Sequence, residues 1–183
     1  MSFLIRKARL DDREAIQHLI RESALGLSRN HYQDVQIEAA NARVFGVDTG
    51  LIEDGTYFVA EGEGVLIGCG GWSKRKALFG GDQYTDRNTG YADPLSDPAK
   101  IRAFFVHPQY ARKGIAGEIL SRCEKEARDG GFRALELMST LPGVVFYEKS
   151  GFSASGVRFD LDLGDGVILE LLPMRKEIWV SVE

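Results

Sequence analysis

Residues 101–120 read IRAFFVHPQYARKGIAGEIL. IRAFFV is a short apolar run of the kind that forms a buried strand, and Pro108 just beyond it cannot continue a ladder. From Ile115 the pattern changes. Ile115, Ile119, Cys123 and Ala127 recur at intervals of four, the spacing of one helical face, until Asp129, Gly130 and Gly131 stop the helix. A strand that passes through a glycine-containing turn into a helix exposes the first N–H groups of that helix, which have no partners within it. Those groups and the helix dipole favour an anion, most often phosphate. Arg112 and Lys113 add positive charge, Gly114 lets a ligand approach the backbone, and Ala116 keeps a second position small. The junction reads as a pyrophosphate cradle; the plain alternative is a solvated turn whose glycine serves backbone geometry alone. Two other phosphate loops are excluded, because the stretch contains neither GxxxxGK followed by Ser or Thr nor GxGxxG.

Outward from this junction the chain alternates strand and helix patterns. FLIRKARL predicts a first strand, and Asp11 with Glu14 three residues later predicts a capping-box start to a helix carrying Ala15, Ile16, Leu19 and Ile20. Val35, Ile37, Ala40 and Val44 predict a second helix. TYFVAE and GVLIGCGGW, joined by EGEG, predict an antiparallel hairpin. The stretch from Ser73 to Lys100 has no sustained apolar period, and a loop of that length inside a domain is usually functional or disordered. After the central strand and helix come strand FRALELM, helix PGVVFYEKS with Gly151 as its stop, and strands around VRFDLDL and VILELLPM joined by GDG. The expected order is β α α β β β α β α β β, an α/β chain with mixed strand directions.

Composition narrows the function. With 183 residues, 44% of them hydrophobic, the chain can bury a sizeable core and is expected to form one domain, residues 1–183. A net charge of −4 argues against a general nucleic-acid binder, so any anion site must be local. Cys69 and Cys123 have no zinc or redox spacing and read as core thiols; no metal site is expected. MSFLIRKARL lacks the long uncharged core of a secretory signal, and no segment approaches the ~20 apolar residues of a membrane span, so a cytoplasmic protein is expected.

VHPQYARKGIAGEIL, followed after one helix and one strand by FYEKSGF at residues 146–152, resembles the GNAT acetyltransferase superfamily. Its cofactor motif is Gln/Arg-x-x-Gly-x-Gly/Ala, and its fourth helix often carries FYxxxGF. The resemblance implies a mixed, mostly antiparallel central sheet flanked by helices on both faces. It also implies acetyl-CoA as acyl donor, with the pyrophosphate on backbone N–H groups of Arg112, Lys113, Gly114, Ile115 and Ala116. The pantetheine arm would run along Phe105 and Val106 as an added strand. Two positions depart from the pattern: the leading Gln/Arg falls on Ala111, and the Asn frequent before the fourth helix falls on Thr140, whose hydroxyl is the substitute.

Acyl transfer from a thioester needs an unprotonated nucleophile, donors for the oxyanion and a way to accommodate the thiolate. The resemblance implies the Val106 N–H as oxyanion donor and Tyr147 as the group that meets the thiolate. No base has a signature. Glu61, Glu136 and His107 each read as ordinary residues, and the Glu some relatives carry on the fourth strand is replaced here by Lys100, Ile101, Arg102 and Ala103. The acceptor regions implied by the family hold Tyr32, Phe45, Trp72, Tyr84, Asp82, Asp86 and Asp93, an acidic set that would attract a cationic amine if it lined the site. The expected activity is acetyl transfer to a primary amine of a small molecule or peptide, with no nucleic-acid or membrane partner; the resemblance also admits a homodimer. The alternatives are an enzyme of the same fold that uses another acyl-CoA or an oxygen nucleophile, a non-catalytic acyl-CoA sensor, and a scaffold with a vestigial site.

Overall fold

IRAFFV lies in the middle of an eight-stranded sheet. The computed structural model describes residues 2–85, 88 and 90–178, so Asp86 lies outside the described residues. Along the chain the elements are β1 (Leu4–Lys7), α1 (Arg13–Leu27), α2 (Asp34–Arg43), α3 (Thr49–Glu53), β2 (Tyr57–Gly62), β3 (Val65–Ser73) and β4 (Ala99–Val106). Then come α4 (Ile115–Asp129), β5 (Ala134–Thr140), α5 (Val144–Lys149), β6 (Ser153–Ala154), β7 (Phe159–Asp162) and β8 (Ile168–Glu177). The strand order is β1-β2-β3-β4-β5-β8-β6, with β7 pairing β8, and every pairing is antiparallel except β4 with β5. The expected mixed, mostly antiparallel sheet is observed.

Helices cover both faces. Ile16, Leu19, Ile20 and Ala24 of α1 and Ile37 and Ala40 of α2 pack with Val59 and Cys69 on one side. On the other side Ile115, Ile119, Cys123 and Ala127 of α4 pack against Phe58, Ala60 and Ile67. The two cysteines are buried and free, one in each core. Burying each large aliphatic side chain of these stripes contributes about 1.5–3 kcal/mol. Gly68 brings α4 close: a Cβ there would lie 2.5 Å from Ile115 Cγ2.

The hairpin turns are where the glycines predict them. Glu63 and Gly64 both have positive φ, as do Gly164, Asp165 and Gly166 between β7 and β8. The start of α1 differs from expectation. Leu10–Asp12 form a 3-10 turn, and it is Asp12, not Asp11, that accepts the Arg9 N–H (2.7 Å). Asp12 is drawn there by the Arg6 guanidinium of β1, at 2.8 and 2.9 Å, which holds its carboxyl below the usual range. The short helix α3 and the two-residue β6 carry too little periodicity to be read from the sequence.

The described part of the long segment after β3 is tied down. Arg75 makes a two-pronged pair with Asp54 (2.8 Å each). Arg102 of β4, 4% exposed, pairs with the equally buried Asp48 at 2.7 Å and donates to the carbonyls of Ala77 (2.9 Å) and Gly80 (2.6 Å). Removing one member of such a pair takes a counter-charge away from a buried ion. Asp48→Asn is expected to lose about 3–5 kcal/mol of stability in denaturant unfolding, whereas Asp165→Asn, at the exposed Arg43 pair, loses less than about 1 kcal/mol.

Candidate active site

The two central parallel strands pair only briefly. Ala99 lies opposite Leu135 and Lys100 opposite Glu136, with the Lys100 ammonium 2.5 Å from the Glu136 carboxylate; beyond that point β4 and β5 part. A bulge re-aims β4 as it leaves. Cys69 pairs with Phe105 but Gly71 with Arg102, so β4 carries one additional residue, and Ala103 has φ 53°. The parting leaves a wedge with a strand edge on each side, bounded by residues 101–106 and 137–140. It opens into a cleft of about 620 Å³.

Phe105, Val106, Arg112, Gly114, Ile115, Ala116, Thr140 and Tyr147 all line this one cleft. Lys113 does not; its ammonium lies over the Tyr110 ring, 4.9 Å from the centroid. Ile115 is buried against Gly68, so what it offers the cleft is backbone. The turn is built for exposure of its amides: Arg112 (φ 61°) and Gly114 (φ 83°) are both left-handed, and α4 begins at the next residue. The first bond into α4 runs from Glu118 N–H to the Gly114 carbonyl, which leaves the N–H groups of 115–117 without helical partners. A Cβ placed on Gly114 or Gly117 would meet no protein atom within 4 Å. The space in front of the helix terminus is open, the shape that a bound anion requires.

Tyr147 sits deeper, 8% exposed, with ring centroids of Phe146, Phe152 and Phe104 at 5.0, 5.6 and 6.4 Å. Among the described residues nothing hydrogen-bonds its hydroxyl. Burial, with a smaller contribution from the nearby Cys123, pushes the phenol well above its usual range, so it stays protonated at neutral and mildly alkaline pH. The Val106 N–H is already engaged: it donates to Ser23 Oγ of α1 at 3.2 Å. Sequence reasoning missed Ser23, yet it carries a signal. A serine occupies the apolar stripe of α1 between Ile20 and Ala24 and is buried there.

The other residues considered from sequence separate cleanly. Glu61 accepts from Arg6 (3.1 Å), Glu136 holds Lys100, and His107 caps a 3-10 turn through Nδ1, accepting the Gln109 N–H at 3.3 Å; none lines the cleft. Trp72 donates to Glu126 (3.0 Å) within the α4 core. Tyr32 donates to the Glu170 carbonyl (2.5 Å) and accepts from the Leu141 N–H (2.9 Å), and burial pushes its phenol up to about 12. The acidic lining is not observed for Asp82 or Asp93. Asp82 caps α3 through Thr49 (2.9 Å to its N–H), and Asp93 accepts from Leu95 N–H in its own turn (2.9 Å). Among the described residues no cluster of three or more His, Cys, Asp or Glu is placed to hold a metal, and no helix is long and apolar enough to cross a membrane.

Known proteins share this architecture. Solved structures that superpose on it include the PaiA N-acetyltransferase of Thermoplasma acidophilum in complex with coenzyme A, 19% identical, covering 97% of this chain and 99% of that one, TM-score 0.65. YncA of Salmonella typhimurium with its cofactor acetyl-CoA is 18% identical over 100% and 98% of the two chains, TM-score 0.63. The ribosomal-protein-S18-alanine N-acetyltransferase of Escherichia coli is 15% identical over 100% and 97%, TM-score 0.60. At these identities the likeness concerns the fold. Comparison with curated proteins returns no match. The family model of the GNAT acetyltransferases matches residues 14–152, most of the chain and all of the cleft's strand–turn–helix junction, and this protein therefore belongs to the acetyltransferase (GNAT) family.

Proposed function

We propose that the chain, as one domain, transfers the acetyl group of acetyl-CoA to a primary amine of a small molecule or peptide by direct attack on the thioester. The observation that carries this reading is the wedge between β4 and β5, which joins the open amide turn at Gly114 to Tyr147 in one cleft. Family membership and the coenzyme A and acetyl-CoA complexes of structural neighbours support it.

The residues divide the work. Unpartnered amides at the start of α4, with Arg112, hold the pyrophosphate; exposed charges share that load and are screened, so the backbone dominates. The free edges of β4 and β5, with Thr140 at the end of β5, pair the pantetheine amides as an added strand would. The Val106 N–H, exchanging Ser23 for an acyl oxygen, serves as oxyanion donor. The amine nitrogen attacks the carbonyl carbon, a C–N bond forms, the C–S bond breaks, and the proton lost by the amine balances the one taken by the thiolate. Full transfer from an unperturbed phenol to a thiolate is uphill by roughly 2 kcal/mol, and burial raises that cost, so Tyr147 stabilises the thiolate by a hydrogen bond. No described carboxylate lines the cleft to act as a base, the observation that favours the second reading, an acyl-CoA sensor without turnover.

Acetyl-CoA or CoA at ~100 times its dissociation constant is expected to stabilise the protein by about 2.7 kcal/mol in thermal unfolding, and ATP is not. Gly114→Val, which forces a β-branched residue into left-handed backbone and fills the open space, is expected to abolish that stabilisation in a protein of unchanged far-UV circular dichroism. Full retention would remove the cradle. Tyr147→Phe loses no protein hydrogen bond, so it is expected to fold and bind acetyl-CoA normally while thiol release falls about a hundredfold. A wild type that binds acetyl-CoA but releases no thiol with any amine is the sensor.

A further inference from the structure

The wedge pierces the sheet, so the cleft has a different wall on each face. The cradle, Phe104, Val106 and Tyr147 belong to the α4/α5 side. On the α1/α2 side the wall is Val44, Phe45, Phe79, Phe105, Met138 and Leu171. Phe45 meets Phe105 edge-on at 5.6 Å, and Phe79 leans on Tyr84 at 5.1 Å and Phe159 at 6.0 Å. The wall is held in place: Arg102 grips the carbonyls of Ala77 and Gly80 on either side of Phe79, and Gln83 donates to the Phe45 carbonyl at 2.7 Å. Its aromatic edges are therefore set before anything binds.

Its charge is equally definite. Among the described residues lining the cleft there is no Asp or Glu; His31 and Arg102 are its basic side chains away from the cradle, whereas Arg112 and Lys149 belong to the α4/α5 side. The nearby acids are turned to other work, Asp48 on Arg102 and Asp82 on Thr49. A second ammonium carried into this space would give up water and find no carboxylate among the described lining residues. An apolar body would bury against ring edges and aliphatic side chains instead.

We propose that the acceptor is a primary amine carried on an aromatic or branched apolar body with no second cationic group, packed against Phe79 and Phe45 of this wall. This rests on the acetyl-transfer reading. The amine reaches the wedge without crossing the cradle, and its nitrogen enters as the free base, because no described residue of the wall carries a carboxylate to hold an ammonium. Phe79 is the specificity-determining residue.

The test measures thiol release from acetyl-CoA with 2-phenylethylamine, isoamylamine, spermidine and a lysine-rich peptide, alongside thermal unfolding with acetyl-CoA alone. The expected result is a kcat/KM for the two apolar amines about tenfold or more above spermidine and the peptide. Phe79→Ala is expected to raise KM for 2-phenylethylamine about tenfold, leaving acetyl-CoA stabilisation unchanged, with Phe79→Leu intermediate. If Phe79→Ala does not fold, the Phe79→Leu shift in KM decides. Equal or faster turnover of spermidine or the peptide overturns this inference and leaves acetyl transfer standing. Stabilisation by acetyl-CoA without turnover of any amine overturns it too and favours the sensor. Absence of both stabilisation and thiol release overturns the acetyl-CoA reading itself.

Discussion

Two residues of parallel pairing hold the centre of this sheet together, Ala99 with Leu135 and Lys100 with Glu136, and the strands then separate. A parallel sheet would ordinarily continue the ladder, because buried backbone N–H and C=O groups left alone are costly. Here the separation is enforced from several directions. The Ala103 bulge turns β4 away, β5 remains bonded to β8 from Ala134 to Thr140, and Arg102 draws the opposite flank of β4 toward Asp48. Everything proposed for the site depends on that gap. Closing it would satisfy the backbone and remove the space for a ligand that pairs as a strand.

The protein meets part of the cost itself. Ser23 Oγ accepts the Val106 N–H, so one of the exposed amides of β4 has a partner whose single hydroxyl is easily exchanged. The arrangement trades a fixed ladder bond for a replaceable one. At the other end of the cleft the same logic holds for the start of α4, where three N–H groups face an open space instead of a capping side chain. Both features leave polar groups of the backbone available where a folding requirement alone would have covered them.

The gap also explains why the site has two unlike walls. Side chains alternate along β4, so Phe104 and Val106 join the α4/α5 core while Ala103 and Phe105 join the α1/α2 core. A ligand passing through the wedge meets cations and amides on one face and aromatic edges on the other. The segment after β3 contributes Phe79 to the second wall, held there by the bonds from Arg102 to the Ala77 and Gly80 carbonyls.

Local patterns were enough for most of the elements and for the amide-lined turn that precedes α4. Periodicity in α1, α4, β2 and β3 and the glycines of the turns are short-range signals, set by backbone geometry and one-sided burial. The sequence around Gly114 specifies an amide-lined turn because left-handed backbone and a helix start are properties of a few consecutive residues. The wedge, the partner of Val106 and the true capping residue of α1 were beyond such reasoning, since Ser23 and Val106 are 83 residues apart and Asp12 was chosen by Arg6 on a strand. The same limit applies to the acids of the loop: residue type leaves open whether Asp82 and Asp93 face a ligand or solvent, and the fold engages each with an N–H instead. Residue type and spacing determine which groups exist and what local geometry they take, whereas long-range pairing decides which of them are left unsatisfied, and it is the unsatisfied groups that make a site.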